Sequence, residues 1–472
     1  MAIDQHKDVE HGLEKPFLHK ANCLDSDQQN GSISMVLLST CVAVCGSFQF
    51  GSCVGYSSPT QSAIRQDLNL SISEFSMFGS IITIGAMIGA VTSGRLADYI
   101  GRKGAMRMSA VFCITGWVAV YFAMEALFLD VGRFCTGYGI GIFSYVVPVF
   151  IAEIAPKNLR GGLATLNQLM IVCGASTAYI VGSVVTWRTL ALIGLIPCLL
   201  ILVGLFFIPE SPRWLAKVGR KKEFESALHR LRGKNADIMQ EANEIQASID
   251  VLLDQPKVRI VDLFDPKYIR PVTVGVGLMV FQQFGGINGI GFYSSETFVA
   301  AGFSSGKAGT IAYAIIQVPI TMVGAVLMDK SGRRPLLMIS SAGTCLGCIL
   351  TGASFFLKEQ DLLAECVPFL AVSGVLVYIS AFSIGTGPVP WVVMSEIFPI
   401  HIKGVAGSLV VLVNWLGAWL VSFTFNYMMA WSSAGTFSIY AAFCALTIVF
   451  VAKIMPETKG KTLEEIQASL SS

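Results

Sequence analysis

The chain is 472 residues long, 53% of them hydrophobic and only 14% charged, with a mean hydropathy of +0.64. Those proportions exclude a soluble globular protein, and a net charge of +2 offers no basis for nucleic-acid binding. Apolar stretches of about 20 residues recur, each long enough at 1.5 Å per residue to cross a hydrocarbon layer roughly 30 Å thick as a helix.

In chain order, residues 1–32 are charged and lack the apolar core of a cleavable signal peptide, which predicts a cytoplasmic N-terminal tail. Spanning helices are expected at 33–55, 74–94, 105–123, 127–152, 163–184 and 188–208, a first six-helix bundle over 33–208. Residues 209–268 are polar, with Phe224, Leu228 and Leu231 at helical spacing, and read as a cytoplasmic helical linker. Further spans at 270–294, 308–328, 336–357, 366–394, 405–427 and 432–454 make a second bundle over 269–454, followed by a cytoplasmic tail at 455–472. The expected fold is an all-α membrane protein of twelve spanning helices in two pseudo-symmetric bundles. With both termini inside, only Arg65, Arg133, Arg188, Lys307 and Lys358 of the 33 Lys and Arg residues fall outside, the asymmetry that membrane insertion imposes.

Short polar motifs repeat between the halves. Gly94 to Lys103 after the second span matches Asp329 to Arg334 after the eighth, and both read as loops. Glu153-Ile154-Ala155-Pro156 to Arg160 matches Glu396-Ile397-Phe398-Pro399 to Lys403, and Pro209-Glu210-Ser211 matches Pro456-Glu457-Thr458. Such matched pairs mark a duplicated carrier whose bundles rock about a central site. Asp98, Arg102, Glu153, Arg160, Asp329, Arg333, Arg334, Glu396 and Lys403 form an expected cytoplasmic charge network, latching the halves when the inner side is closed and breaking on opening.

These motifs, with Gly132-Arg133-Phe134 and Gln282 to Asn288, resemble the sugar porter family of the major facilitator superfamily over roughly residues 33–465. Lys15-Pro16-Phe17-Leu18-His19 and the short termini are most similar to the plant early-responsive-to-dehydration-type monosaccharide transporters. The resemblance implies a hexose bound at Gln168, Gln282, Gln283, Asn288, Trp391 and Asn414, with Gln317 standing where the family usually has Asn. It also implies that Tyr293 helps to close the outer entrance, and that the protein resides in the vacuolar or plasma membrane.

Independently of the resemblance, Gln168, Gln282, Gln283, Asn288, Gln317 and Asn414 lie near mid-membrane depth, where an amide needs a partner or a hydrated cavity. Amides donate and accept, as sugar hydroxyls do. Gly285 and Gly286 let the seventh span loosen between them, and Gly385, Gly387, Pro388 and Pro390 interrupt the tenth. That interruption lets Phe382 and Trp391 stack on the apolar face of a sugar ring.

Proton coupling calls for a titratable group at membrane depth. All five histidines fall in cytoplasmic segments, and Cys53 stands where proton-linked members of the family carry an Asp paired with the arginine matching Arg133. The expected activity is therefore facilitated diffusion of a monosaccharide, with proton coupling through another carboxylate, or a non-transporting sensor, as alternatives. No catalytic residue, cofactor or metal site is indicated; Gly302 to Gly306 fits a hydrolase elbow only as a pattern, in an outer loop. The small-residue pairs Gly85/Gly89 and Gly137/Gly141 predict close helix packing within one chain, which functions as a monomer.

Overall fold

The computed structural model describes residues 18–156, 159–233, 236–253, 259–302, 306–459, 461 and 465–466, without the side chains of 18–32, 252–253, Arg160, Asp329, Ile400 and His401. The Lys15–Phe17 motif, and the side chains of Arg160 and Asp329 expected in the charge network, therefore lie outside the described residues. What is described is helical, with no strand among those residues.

Ten helices are long and apolar enough to cross a membrane by length and composition. Two features reconcile these with twelve spans. The helix Ile72–Tyr121 contains both the second and third spans, reversed at Gly101, and the seventh span is broken into Ile269–Phe284, Ile287–Phe292 and Ser294–Ala300. The first helix, Leu18–Gly55, begins before the expected start at 33. The sixth span divides at Gly194 into Trp187–Ile193 and Leu195–Phe207.

The repeated Gly-Arg motifs are not the loops expected from the sequence. Both are tight helix-to-helix reversals at a single glycine, Gly101 at φ +83° and Gly332 at φ +89°. The left-handed region excludes a Cβ at a cost of roughly 1–2 kcal/mol. Space is also closed: a Cβ at Gly101 would lie 2.6 Å from the Glu210 carboxylate and one at Gly332 would lie 2.9 Å from that of Glu457. Gly101→Ala should therefore lower the thermal unfolding midpoint by several degrees in detergent, and a Gly332→Ala variant should do the same; unchanged melting in both would refute the strain.

Small residues set the packing between the second and fourth spans. A Cβ at Gly137 would sit 2.2 Å from the Ile82 carbonyl oxygen, and one at Gly141 equally close to that of Ala86. The glycine pairs thus serve contacts inside one chain, where bare backbone permits close approach. Between the bundles, the linker contributes the helices Pro212–Lys217, Lys221–Arg232 and Met239–Leu253, with Trp214, Phe224, Leu228 and Ile245 in a small core of their own.

Candidate functional site

The tenth span explains the position of the first amide. Prolines at 388 and 390 cannot donate a backbone hydrogen bond, so the carbonyls four residues before them lose their helical partners. The chain passes through a π-helical turn at Phe382–Thr386, and Gly387 N–H reaches back to the Phe382 carbonyl at 2.8 Å. Gln282 of the seventh span fills the deficit, its amide nitrogen donating to the carbonyls of Thr386 (2.7 Å) and Gly387 (2.9 Å). From the ninth span (Arg333–Glu359), Ser340 completes the brace: its hydroxyl pairs with that of Thr386 at 2.6 Å and accepts the Thr386 N–H at 2.7 Å. Gly385 permits that approach, since a Cβ there would meet Ser340 at 2.6 Å.

From Gln282 the amides run on as a chain. Gln283 donates to the Gln282 side-chain oxygen (3.4 Å) and to that of Asn414 in the eleventh span (2.7 Å), and accepts from Asn288. Gly286, left-handed at φ +95°, ends the first segment of the seventh span and turns Asn288 back toward Gln283. Tyr378 donates to the buried Gly285 carbonyl at 2.9 Å and stacks on Phe382. Trp391 is 36% exposed, on the side of its helix away from the buried Val389 and Val393.

Two predicted residues come from the other helices. Gln168 in Arg160–Gly182 is half-buried, and Gln317 in Gly306–Ser331 keeps a buried side-chain oxygen without a partner. The fifth and eighth spans meet at Tyr179 and Tyr313, whose rings lie edge-to-face at 5.3 Å. Gln317 is one turn beyond Tyr313 on the same face, and Gln168 is eleven residues, about three turns, from Tyr179. Asn414 stands eleven residues from Phe425, the ring that stacks on Tyr293 at 5.3 Å. Phe50 of the first span and Trp415 face each other across the two bundles at 6.0 Å, a pair that sequence reasoning missed.

Tyr293 is fully buried, wedged against Phe75 and the Cα of Gly79 of the opposite bundle, where a Cβ would clash with its hydroxyl at 2.3 Å. Around it, cross-bundle polar contacts gather at the face remote from the linker. Ser58 and Ser294 share a hydrogen bond (2.8 Å), Tyr179 donates to the Gly291 carbonyl (2.8 Å), Asn426 to Ser76 (2.9 Å), and Arg65 pairs with Glu296 (3.5 Å). None of these latch residues follows a repeated motif, so none could be found from the sequence.

On the linker face the charges pair within each half. Arg102 grips Glu153 through two nitrogens (2.8 and 2.9 Å) and Asp98 (3.1 Å), while Arg333 reaches Glu396 (2.8 Å). Ser211 and Thr458 close the same two acids at 2.5 and 2.6 Å, the structural role of the third repeated motif. Beneath each turn, Glu210 accepts the Lys103 and Ser211 N–H groups, and Glu457 accepts those of Arg333, Arg334, Thr458 and Lys459. Burial holds the Glu210 carboxyl above its ordinary range, whereas at Glu457 four amide donors more than offset burial and hold it below. Lys403 and Arg334 depart from the expected network: Lys403 donates to the Ser395 carbonyl (2.8 Å) and Arg334 to that of Ala452. Both cap helix ends, where a carbonyl is the nearer acceptor.

Glycines 161, 162, 404 and 407, at the linker ends of the fifth and eleventh spans, have nothing within 4 Å of an added Cβ. The bundles thus meet around Tyr293, while open space adjoins these four glycines at the linker face.

A duplicated helical protein with amide side chains joined between its spans belongs to the class of membrane carriers. The family model described as "Sugar (and other) transporter" matches residues 38–470. "Sugar transporter ERD6-like 16" of Arabidopsis thaliana is 68% identical over 478 residues, covering 100% of this chain and 99% of its own. "Sugar transporter ERD6-like 7" of the same plant is 63% identical, over 92% and 94%. Among solved structures, the inward open conformation of the xylose transporter XylE from E. coli aligns with TM-score 0.77 at 30% identity, over 92% of this chain and 99% of that one. The proton:xylose symporter XylE bound to 6-bromo-6-deoxy-D-glucose gives 0.74 at 29%, over 93% and 100%. The chain belongs to the sugar porter family of the major facilitator superfamily: it is a sugar transporter, not an enzyme.

Proposed function

We propose that the protein carries a hexose by facilitated diffusion, as a monomer of the vacuolar or plasma membrane with its linker and termini in the cytoplasm, and that the conformation described is inward-facing. The observation that carries the reading is the shared register of Gln168 and Asn414, one amide from each bundle. Gln168 and Asn414, one in each bundle, stand three turns below residues that seal the outer face, and Gln317 stands one turn below another. Gln282, Gln283 and Asn288 join that register through the hydrogen bond from Gln283 to Asn414. All would face one hydrated chamber, with Phe50, Trp415, Phe382 and Trp391 as its apolar walls.

Uniport is favoured by the surroundings of Arg133. It is fully buried, donates to the Cys53 carbonyl (2.8 Å) and the Ser57 hydroxyl (2.6 Å), and lies over the rings of Tyr56 and Phe78 at 5.5 and 5.0 Å. Its partners are neutral, so its charge is held by carbonyl, hydroxyl and π faces rather than by a proton-carrying acid. Proton symport has one specific observation in its favour. Asp130, one turn earlier on the same helix, has a buried carboxylate oxygen without a hydrogen-bond partner.

Reconstituted vesicles separate the two. An imposed hexose gradient should move sugar without proton flux, and Asp130→Asn should leave sugar flux intact; stoichiometric proton movement lost in that variant would establish symport. Cys53→Asp places a carboxylate beside Arg133 and should give uptake a several-fold dependence on pH that the parent lacks. A flat profile in the variant would show that this position does not govern coupling.

A further inference from the structure

Where the third span meets the linker, a polar cavity of about 240 Å³ opens among Lys103, Arg107, Glu210, Trp214, Arg220 and Glu223. At roughly 30 Å³ per water it has room for about eight, or for one phosphate with its hydration. Its two acids are already committed. Glu210 accepts backbone N–H groups under the Gly101 turn, and Glu223 pairs with Arg220 at 3.6 Å, both more than half exposed.

The cations are less well satisfied. Lys103 is part-buried, donates to the Ile208 carbonyl at 2.6 Å and is attracted by Glu210, while Arg107 and Arg230 lie close enough to oppose its charge. The Arg107 guanidinium rests over the Phe206 ring, 5.3 Å from its centroid. That ring is 74% exposed at the end of the sixth span, on a face it shares with exposed Leu199 and Val203. The cavity therefore combines surplus positive charge with a rim that faces acyl chains.

We infer that this cavity binds the phosphate-bearing headgroup of an anionic lipid in the leaflet on the linker side. Arg107 and Arg220 supply the planar donors that phosphate oxygens accept, Trp214 walls the cavity, and Phe206 lies beside the lipid's acyl chains. A bound headgroup bridges the third span and Arg220, at the start of the linker helix Lys221–Arg232. This site is separate from the sugar chamber and stands whichever sugar is carried.

The test uses the full chain in detergent with short-chain phosphatidylinositol phosphate, short-chain phosphatidylcholine, soluble inositol phosphate and inorganic phosphate, each titrated by native mass spectrometry. The anionic lipid should bind and phosphatidylcholine should not, and the lipid should bind more tightly than either soluble phosphate. The double variant R107Q/R220Q should bind the anionic lipid about 30-fold more weakly, taking about 1 kcal/mol per basic residue near a lipid surface. R107K/R220K should keep part of the affinity, and K221Q/K222Q, which removes equal charge outside the cavity, should keep most of it. Hexose uptake in neutral-lipid vesicles reports that each variant folds. Equal loss in R107Q/R220Q and K221Q/K222Q would overturn the site in favour of diffuse charge. Soluble phosphate binding as tightly as the lipid would overturn the lipid assignment, and unchanged binding in R107Q/R220Q would overturn both.

Discussion

Gln283→Leu is expected to reduce hexose uptake by roughly 30- to 1,000-fold, the equivalent of losing about 2–4 kcal/mol of hydrogen bonding. Gln283 joins three other amides: it donates to Gln282 and Asn414 and accepts from Asn288. Leucine has similar volume but leaves the Asn288 amide and the Asn414 oxygen unanswered in a site where Asn414 is only 5% exposed. A sugar hydroxyl then meets amides whose orientation is no longer held, and the loss falls on both binding and translocation. In the proposed inward-facing carrier, water from the linker side reaches the orphaned groups once the Gln283 amide is gone, so the fold should survive. Transport kinetics together with thermal unfolding make the distinction: a melting temperature close to the parent with uptake nearly abolished is the expected pair. Uptake within a few-fold of the parent would remove the amide chain from the binding site.

The second large effect concerns the outer seal. In a background free of other reactive thiols, S58C/S294C should lose nearly all transport on oxidation and regain it on reduction, while each single variant transports normally. The two hydroxyl oxygens are 2.8 Å apart, both buried, on helices Ser57–Asp67 and Ser294–Ala300 of opposite bundles. Small adjustments bring two sulfurs to the roughly 2.04 Å of a disulfide. The crosslink removes the outward-facing state and leaves the linker side open, so sugar binding from that side should persist while flux stops. Normal transport by the oxidised protein would contradict alternating access about this seal. The native latch is weak by design of its chemistry: each hydrogen bond nets about 0.5–1.5 kcal/mol, because water replaces it on opening. A handful of such contacts holds one state without trapping it.

Much of the molecule is legible in the amino-acid sequence because the bilayer constrains so strongly. Long apolar runs, the Lys and Arg asymmetry and the matched motifs around Gly101 and Gly332 depend only on local composition and on register along the chain. The breaks in the seventh and tenth spans were equally visible, since Gly286 and the prolines at 388 and 390 act on their own backbone. The amides stood out because a polar side chain inside an apolar run is expensive wherever it points.

Partnerships across helices were another matter. The sequence places Gln282 beside Gln283 but says nothing of the Thr386 carbonyl that a distant proline leaves free. It marks Arg102 and Arg333 as charged, yet their pairing within rather than between bundles depends on which face of the carrier is closed. Lys403, grouped with the charges by its position in a motif, instead caps the end of the tenth span. The contacts of Ser58, Ser294, Tyr179 and Asn426 at the face remote from the linker left no mark at all, being made by common polar residues brought together from opposite bundles. Periodicity and solvation are properties of a segment and so are written along the chain, whereas a contact between bundles exists only once twelve helices have packed and one face has closed.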